Sequence, residues 1–402
     1  MRTPDQQRDA VSALITRHWS IQEWLASEPA WDSLLTRSNA DGLFLSWQWL
    51  THWWHYYGGT LGLVPDIMAF YRADNLVGVA PLYQRLVVRA GIVRTLSVQV
   101  IGLSWRDPVP LISEYLDVIA SPEDLDAVRN ECVRVLLDQP AWTELVIGFT
   151  AAGGEWRDAF SRVSPSSGHY AREVDRSVSY HADLAQGFAP YLKDLGQSTR
   201  RSVWNLRRRL AEEHGDVCFE FLAPEEIDSG FSDLNRLHQL RWNRPAFAGE
   251  RLEFHKSLAA RLAAHGELAF TRLRVAGNVV SVLYDIRKGT RQYNMKMGFD
   301  PAFTTRLSLG LVHFGYAMEA AAERGITVYD FLAGPGQSYD FKRNLGQIRR
   351  DLSCVQMLRG RVLPTIYRWR DRARALRDEG PQHSAQPADV GEGRKSVREC
   401  GD

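Results

Sequence analysis

The stretch from Leu268 to Leu332 constrains this chain more than any other, because its apolar period changes twice within it. Leu268–Arg274 and Val279–Ile286 read as strands joined by the turn Ala276-Gly277-Asn278, and Arg287–Thr290 turns the chain into a third strand, Arg291–Met297. After the loop Gly298-Phe299-Asp300-Pro301, the apolar residues Leu307, Leu311, Phe314, Met318 and Ala321 fall on one helical stripe that Gly325 terminates. Ile326–Leu332 is again a strand, the loop Gly334-Pro335-Gly336 follows, and Asp351–Leu358 is the next β run. A meander, a helix and a strand returning beside the meander make an α/β unit in which helices flank a mixed, mostly antiparallel sheet.

The first half shows the same order more faintly. Helical patterns surround Trp31, Leu34 and Leu35 and start again near Ser46, where Leu50, Trp53, Trp54 and Tyr57 are spaced for one face. That aromatic stripe reads as core, with a lining of a substrate cleft as the other reading. Asp66–Arg72 and Leu76–Gln84 form a hairpin about Ala73-Asp74-Asn75, with further β runs at Thr95–Ile101 and Tyr115–Ala120. A helix starts at the cap Ser121-Pro122-Glu123-Asp124 and runs to Asp138, and Thr143–Phe149 is a buried strand. Asn75-Leu76-Val77-Gly78-Val79 and Asn278-Val279-Val280-Ser281-Val282 occupy the same step of the two hairpins, an internal repeat. Residues 150–177 read as a loop-rich connection, so the expected division is 1–177, 178–365, and a helical end with a disordered tail over 366–402.

At 402 residues the chain can hold two or three cores, and 49 basic against 48 acidic side chains leave no global field toward nucleic acid or an anionic membrane. The four cysteines are too dispersed for a zinc or CxxC site, and the histidines lack metal spacing, so no metal is expected. No run approaches the roughly 18 apolar residues of a membrane span, and the N-terminal twenty lack a secretory apolar core. A cytoplasmic protein is the expectation, with its oligomeric state open.

Several spaced motifs carry a resemblance. Phe44-x-Ser46-x-x-Trp49-Leu50-x-x-Trp53 and Gly78-Val79-Ala80-Pro81-Leu82 in the first half resemble CelD-like proteins, as do the Arg-rich helix after Ser198, Tyr329-Asp330-Phe331-Leu332-x-Gly334, and Phe341-Lys342-Arg343. These are acyltransferases of the GNAT superfamily, related in fold to the FemAB aminoacyltransferases and often linked to exopolysaccharide or cellulose production. The resemblance implies two tandem GNAT-like domains, acetyl-CoA or another acyl-CoA as cosubstrate, and transfer to a small-molecule amine such as an amino sugar. Aminoacyl transfer from aminoacyl-tRNA and a non-catalytic accessory role in polysaccharide assembly are the alternatives.

The resemblance also implies where the site lies. The strand containing Tyr293, Met295 and Met297 would run beside the pantetheine and lend a backbone N–H to the oxyanion. Arg306, Ser308 and Gly310 would neighbour the phosphates at a helix N-terminus, although the first glycine of the family's usual turn is absent. Gly310 and Gly315 have close helix packing as their other reading. Asp330 and Lys342 match the family's acid–base positions, with Tyr339 or Tyr293 as proton donor to the leaving thiolate; Asp330 has capping, or pairing with Lys342 or Arg343, as its structural alternative. Arg201, Asn205 and Arg208 share one helix face that would meet an anionic substrate, a CoA phosphate or simply solvent.

Overall fold

A computed structural model describes residues 14–106, 113–139, 141–164, 168–303, 308–333 and 339–378. Its first half comprises β1 (Ile15–Trp19), α1 (Ile21–Leu25), α2 (Glu28–Thr36), α3 (Trp47–Tyr57), the meander β2 (Val64–Arg72), β3 (Asn75–Arg89) and β4 (Val93–Val100), then β5 (Ile119–Ala120), α4 (Leu125–Asp138), β6 (Glu144–Thr150) and α5 (Gly153–Val163). After β7 (His169–Asp183), the second half runs through α6 (Phe188–Asp194), α7 (Gln197–Arg200), a π-helical turn Arg201–Asn205 and α8 (Leu206–His214). It continues with β8 (Val217–Phe221), α9 (Ile227–Trp242), α10 (Glu250–Ala264), the meander β9 (Leu268–Val275), β10 (Asn278–Lys288) and β11 (Arg291–Phe299), α11 (Leu309–Glu323), β12 (Val328–Asp330), α12 (Tyr339–Leu345), β13 (Ile348–Arg359) and α13 (Val362–Asp378).

The two halves repeat one plan. In each, a three-stranded antiparallel meander is followed by a helix and a strand parallel to the last meander strand: β6 beside β4, β12 beside β11. The short sequence repeat marks equivalent points, since Asn75 and Asn278 each open the second meander strand opposite Arg72 and Val275. The residue after each closing position, Ala73 and Ala276, has positive φ, 51° and 46°, the backbone twist that tight hairpins favour.

The strands of both halves form one sheet in the order β1-β2-β3-β4-β6-β13-β7-β12-β11-β10-β9-β8, with β5 paired to β3. At its centre the halves exchange strands. The last strand, β13, returns to pair with β6 on one side and β7 on the other, while β7 pairs with β12. A buried carboxylate ties this junction: Glu144 on β6 accepts from Arg89 Nη2 at 2.8 Å, Ser97 Oγ at 2.6 Å and Gln356 Nε2 at 2.5 Å, joining β3, β4, β6 and β13. Charges removed from water need this degree of compensation.

The aromatic stripe is core. Ser46 caps α3 by accepting from Trp49 N at 3.1 Å, and the helix buries Trp49, Leu50, Trp53 and Tyr57. The Trp49 indole finds its acceptor in Ser113 Oγ at 2.9 Å, as a buried indole N–H requires.

Several expectations need correction. Residues 150–177 hold helix α5 and much of β7, because Trp156, Ala159 and Phe160 supply a buried face that the local Gly, Ser and Arg content masks. The boundary expected at 177 falls inside β7, which runs unbroken. Of the β run at Tyr115–Ala120 only Ile119-Ala120 is strand, and Ile326–Leu332 contributes only Val328–Asp330. β1 escaped notice, its pattern being largely exposed at the sheet edge. Asp351–Leu358 is longer, Ile348–Arg359. The tail from Gly380 lies outside the described residues.

Candidate active site

The second meander creates an opening in the sheet. β12 pairs with β11 only from Arg291 to Tyr293, opposite Val328 to Asp330. β11 then continues to Phe299, so beyond Tyr293 that edge has no strand partner among the described residues. On its other side β11 follows β10 with a register shift: Asn294 faces Asp285 and Lys296 faces Tyr284, leaving Met295 as an extra, bulged residue. Bulges re-aim side chains and recur near active sites, and the carboxyl ends of diverging parallel strands are where α/β sheets take ligands.

Asp330 ends β12 at this opening and is fully buried. Its Oδ1 accepts from Leu332 N at 2.8 Å and from Tyr115 Oη at 3.1 Å. Its Oδ2 lies 3.3 Å from His181 Nε2 and 3.6 Å from Arg291 Nη1. Arg291 stands equally 3.6 Å from Asp41 Oδ2, which also accepts from Tyr293 Oη at 3.0 Å. Asp41 Oδ1 meanwhile receives Leu43 N at 3.0 Å and Phe44 N at 2.8 Å, fixing the approach to α3.

Lys342, on α12, closes the same corner. Its Nζ donates to Leu332 O at 2.8 Å and Ala333 O at 2.9 Å, and Glu114 Oε2 takes Ala333 N at 2.7 Å. Residues 331–333 are therefore braced by Asp330, Lys342 and Glu114 together. Leu332 is held at φ 54°, a left-handed conformation that a leucine adopts only when its surroundings impose it.

Burial sets the electrostatics. It raises the Asp330 and Asp41 carboxyls above the usual range, against the pull of Arg291 and of the backbone N–H groups of Leu332 and Phe44. Burial, with Arg291 and Arg350 nearby, lowers His181 to about 3, so the imidazole is neutral at pH 7. Lys342 is lowered by burial, with Glu114 and Asp330 opposing the shift. The hydroxyls of Tyr115 and Tyr293 are raised well above 10 by burial and by the neighbouring acids, so both keep their protons.

Across the other edge of β11, β10 carries a further buried carboxylate. Asp285 accepts from Gln292 Nε2 at 2.8 Å, from Asn294 Nδ2 at 2.7 Å and from the Tyr329 hydroxyl, and burial lifts it to about 6. Further along β11, Lys296 is partly buried beside Arg251, Arg244 and Lys342; burial first and these cations next lower it to about 8. Among the described residues, neither Lys296 nor the two arginines have a carboxylate in ion-pair reach. The loop holding Arg244 is itself fixed: His238 Nδ1 bonds Arg244 O at 2.8 Å, and Asn235 bonds both Phe247 N and Phe247 O at 3.0 Å.

Of the residues expected from sequence, Asp330, Lys342 and Tyr293 meet in the buried group. Met295 and Met297 flank it on β11, partly buried. Tyr339 opens α12, but its side chain, like Arg306 entirely, lies outside the described residues. Ser308 is exposed at the N-terminus of α11 and makes no side-chain cap bond. Gly310 abuts β11, where an added Cβ would meet Met297 Sδ at 3.0 Å. Arg201, Asn205 and Arg208 are exposed, and Arg208 pairs along its own helix with Glu212 at 3.3 Å. The π-helical turn that holds Arg201 and Asn205 buries Val203 against α11 instead.

Sequence reading missed Asp41, Glu114, Tyr115, His181 and Arg291. Four of the five come from outside the second meander, brought to it by the fold, and no spacing rule links them. Asp41-Gly42 after a helix is an ordinary turn signal, and within its own strand His181 meets only Ser179 Oγ, at 3.2 Å.

A sequence model of the acetyltransferase (GNAT) domain matches residues 197–343. Among solved structures, FemX superposes with a TM-score of 0.55 at 12% identity, covering 88% of this chain and 99% of that one. A conserved protein of unknown function from Bacteroides thetaiotaomicron VPI-5482 gives 0.49 at 12% identity, over 86% and 100%. L-PGS from Bacillus licheniformis gives 0.45 at 12% identity, over 87% and 97%. No curated protein matches the sequence. At such identity a shared structure speaks for fold alone, and the FemX superposition carries that point. Residues 197–343 thus match the GNAT acetyltransferase domain, within a chain whose two halves repeat one plan and whose overall fold is the one FemX has.

Proposed function

We propose that this chain transfers an acyl group from acetyl-CoA or another acyl-CoA to an amine, at the opening between β11 and β12. The observation that carries this reading is the edge of β11 beyond Tyr293, unpaired among the described residues and set beside a lysine pinned by two backbone carbonyls. An open strand edge offers N–H and C=O groups to the amides of a pantetheine arm. The N-terminus of α11, around Ser308 and Gly310, offers free N–H groups to phosphate.

In this reading the amine nitrogen attacks the thioester carbonyl, the C–N bond forms, and the C–S bond then breaks. The backbone of β11 and the remaining N–H of Lys342 meet the oxyanion. The amine's proton passes through water to Asp330, whose raised basicity suits a base, and Tyr339 supplies a proton to the departing thiolate. Tyr293 is not that donor, since its own proton already serves Asp41. Lys296, Arg244 and Arg251 suit an acceptor that carries an anionic group of its own, such as an amino sugar on a phosphate.

Calorimetric titration with acetyl-CoA and free CoA tests the donor. Binding of both is expected; no heat with either, together with turnover of an aminoacyl-tRNA, would replace the acyl-CoA reading with aminoacyl transfer. Lys342→Met is expected to lower turnover roughly a hundredfold while acetyl-CoA still binds. Unchanged turnover would remove Lys342 from the mechanism.

A further inference from the structure

The C-terminal helix α13 has two unlike sides. Leu363 and Tyr367, one turn apart, are buried with Leu358, and Ala90, Val93 and Tyr170 pack around them. Val362, Trp369 and Leu376 follow one another at seven-residue intervals and are 59%, 71% and 73% exposed. Seven residues are nearly two turns, so these three share one face. That face is apolar, contiguous along the helix and unpartnered among the described residues.

The hairpin of β3 and β4 adds to it. β2 stops pairing with β3 at Gln84, so Arg85–Arg89 extend beyond β2 and pair with β4 alone. The turn at its end touches α13 through Ala90 and Val93, and Ile92 at the tip is 84% exposed. Leu86 and Val88, two residues apart on the same arm, are exposed as well.

Charge decides what covers this face. Arg361, Arg370, Arg372 and Arg374 are exposed around the apolar stripe. Asp371, within the same stretch, points the other way, where its Oδ2 accepts from Tyr170 Oη at 2.8 Å and lies 3.4 Å from Arg172 Nε. A second copy docked face to face would oppose these arginines to themselves, which like-charge repulsion disfavours. The chain's own residues 380–402 offer only Val390 and Val397 as large aliphatic side chains to cover it. No helix among the described residues is long and apolar enough to cross a membrane. An amphipathic helix with tryptophan on the apolar face and arginine at its borders is instead suited to lie in the plane of a bilayer surface.

We propose that α13 and the β3–β4 hairpin tip form a membrane-surface dock, which seats Val362, Trp369, Leu376 and Ile92 at the headgroup–acyl boundary of an anionic bilayer while the flanking arginines meet lipid phosphates. The near-neutral total charge of the chain does not oppose this, because the attraction acts locally, within a Debye length of the surface.

Co-sedimentation of the full chain with phosphatidylcholine vesicles, with and without phosphatidylglycerol, tests the proposal. Binding is expected to the phosphatidylglycerol vesicles and to weaken with added salt. The double variant Trp369→Ala/Leu376→Ser is expected to bind roughly tenfold more weakly. Arg370→Gln and Arg372→Gln should each cost about fivefold. All four positions are exposed, so an unchanged melting temperature accompanies the loss. Three outcomes overturn the proposal: no binding to phosphatidylglycerol vesicles, binding indifferent to Trp369→Ala/Leu376→Ser, or a dimer in sedimentation velocity that this variant dissociates in the absence of vesicle binding.

Discussion

His255 on α10 is buried with its ring 3.9 Å from that of Phe247, and burial lowers it to about 3. The unfolded chain protonates this histidine near 6.5, so between pH 6.5 and about 3 the unfolded state binds the extra proton and stability falls as pH falls. The slope for one such group reaches about 1.4 kcal/mol per pH unit. Asp285, lifted to about 6, works in the opposite direction below that pH, so the difference between His255→Gln and the parent isolates the histidine. The variant should be less stable at pH 7 yet lose less on acidification, as read by urea midpoints; parallel pH profiles would refute this. Lys296 supplies a functional counterpart. Lowered to about 8, it sheds its charge as pH rises through 8 rather than near 10.5. KM for an anionic acceptor should therefore rise across that range in the parent protein and stay flat in Lys296→Met. The sequence already pointed to Asp330, Lys342 and Tyr293, because they follow one another along a single unit's motifs. It hid Asp41, Tyr115 and His181, whose relevance exists only once the other half of the molecule is laid against β12.

Helix α11 and its glycines show how an element reads ambiguously until its neighbours are known. A Cβ on Gly315 would sit 2.2 Å from Val203 O, a backbone atom of the π-helical turn. One on Gly310 would meet the flexible end of Met297 at 3.0 Å. Gly315→Ala should thus cost about 2–3 kcal/mol and Gly310→Ala about 1 kcal/mol or less, from the usual range for overpacking; comparable losses in denaturant titrations would mean that the close approach is not what selects glycine at 315. The same contact explains the Arg-rich helix. Its sequence promises a continuous α-helix from Ser198 to Gly215, whereas packing against α11 inserts the wider turn Arg201–Asn205. The meander was legible because hairpin turns and strand alternation are local. Helix α5 was not, since its buried side is set by β13, two hundred residues away in the chain: a Cβ on Gly153 would strike Ser353.

At the scale of the whole molecule, the exchange of β7 and β13 makes the two halves one cooperative body. β13 is flanked by β6 on one side and β7 on the other, and the Glu144 network crosses that seam. Calorimetry should show a single unfolding transition, and residues 1–164 expressed alone should fail to fold while recovering native structure when co-expressed with residues 168–402. Two separated transitions, or a folded 1–164 fragment, would show the halves to be autonomous. Sequence reasoning recovered two units because each meander repeats. It placed a boundary at 177 because nothing in residues 169–183 announces that their partners lie at 348–359.

The returning strand also sets a schedule for synthesis. When β6 leaves the ribosome its outer edge is bare, and the segment that will occupy it begins at Ile348, roughly 200 residues later. At about 5–20 residues per second that edge waits on the order of ten to forty seconds. A nascent first half is therefore a transient, sticky intermediate by construction, and it will depend on whatever shields open strands in the cell until the last strand arrives.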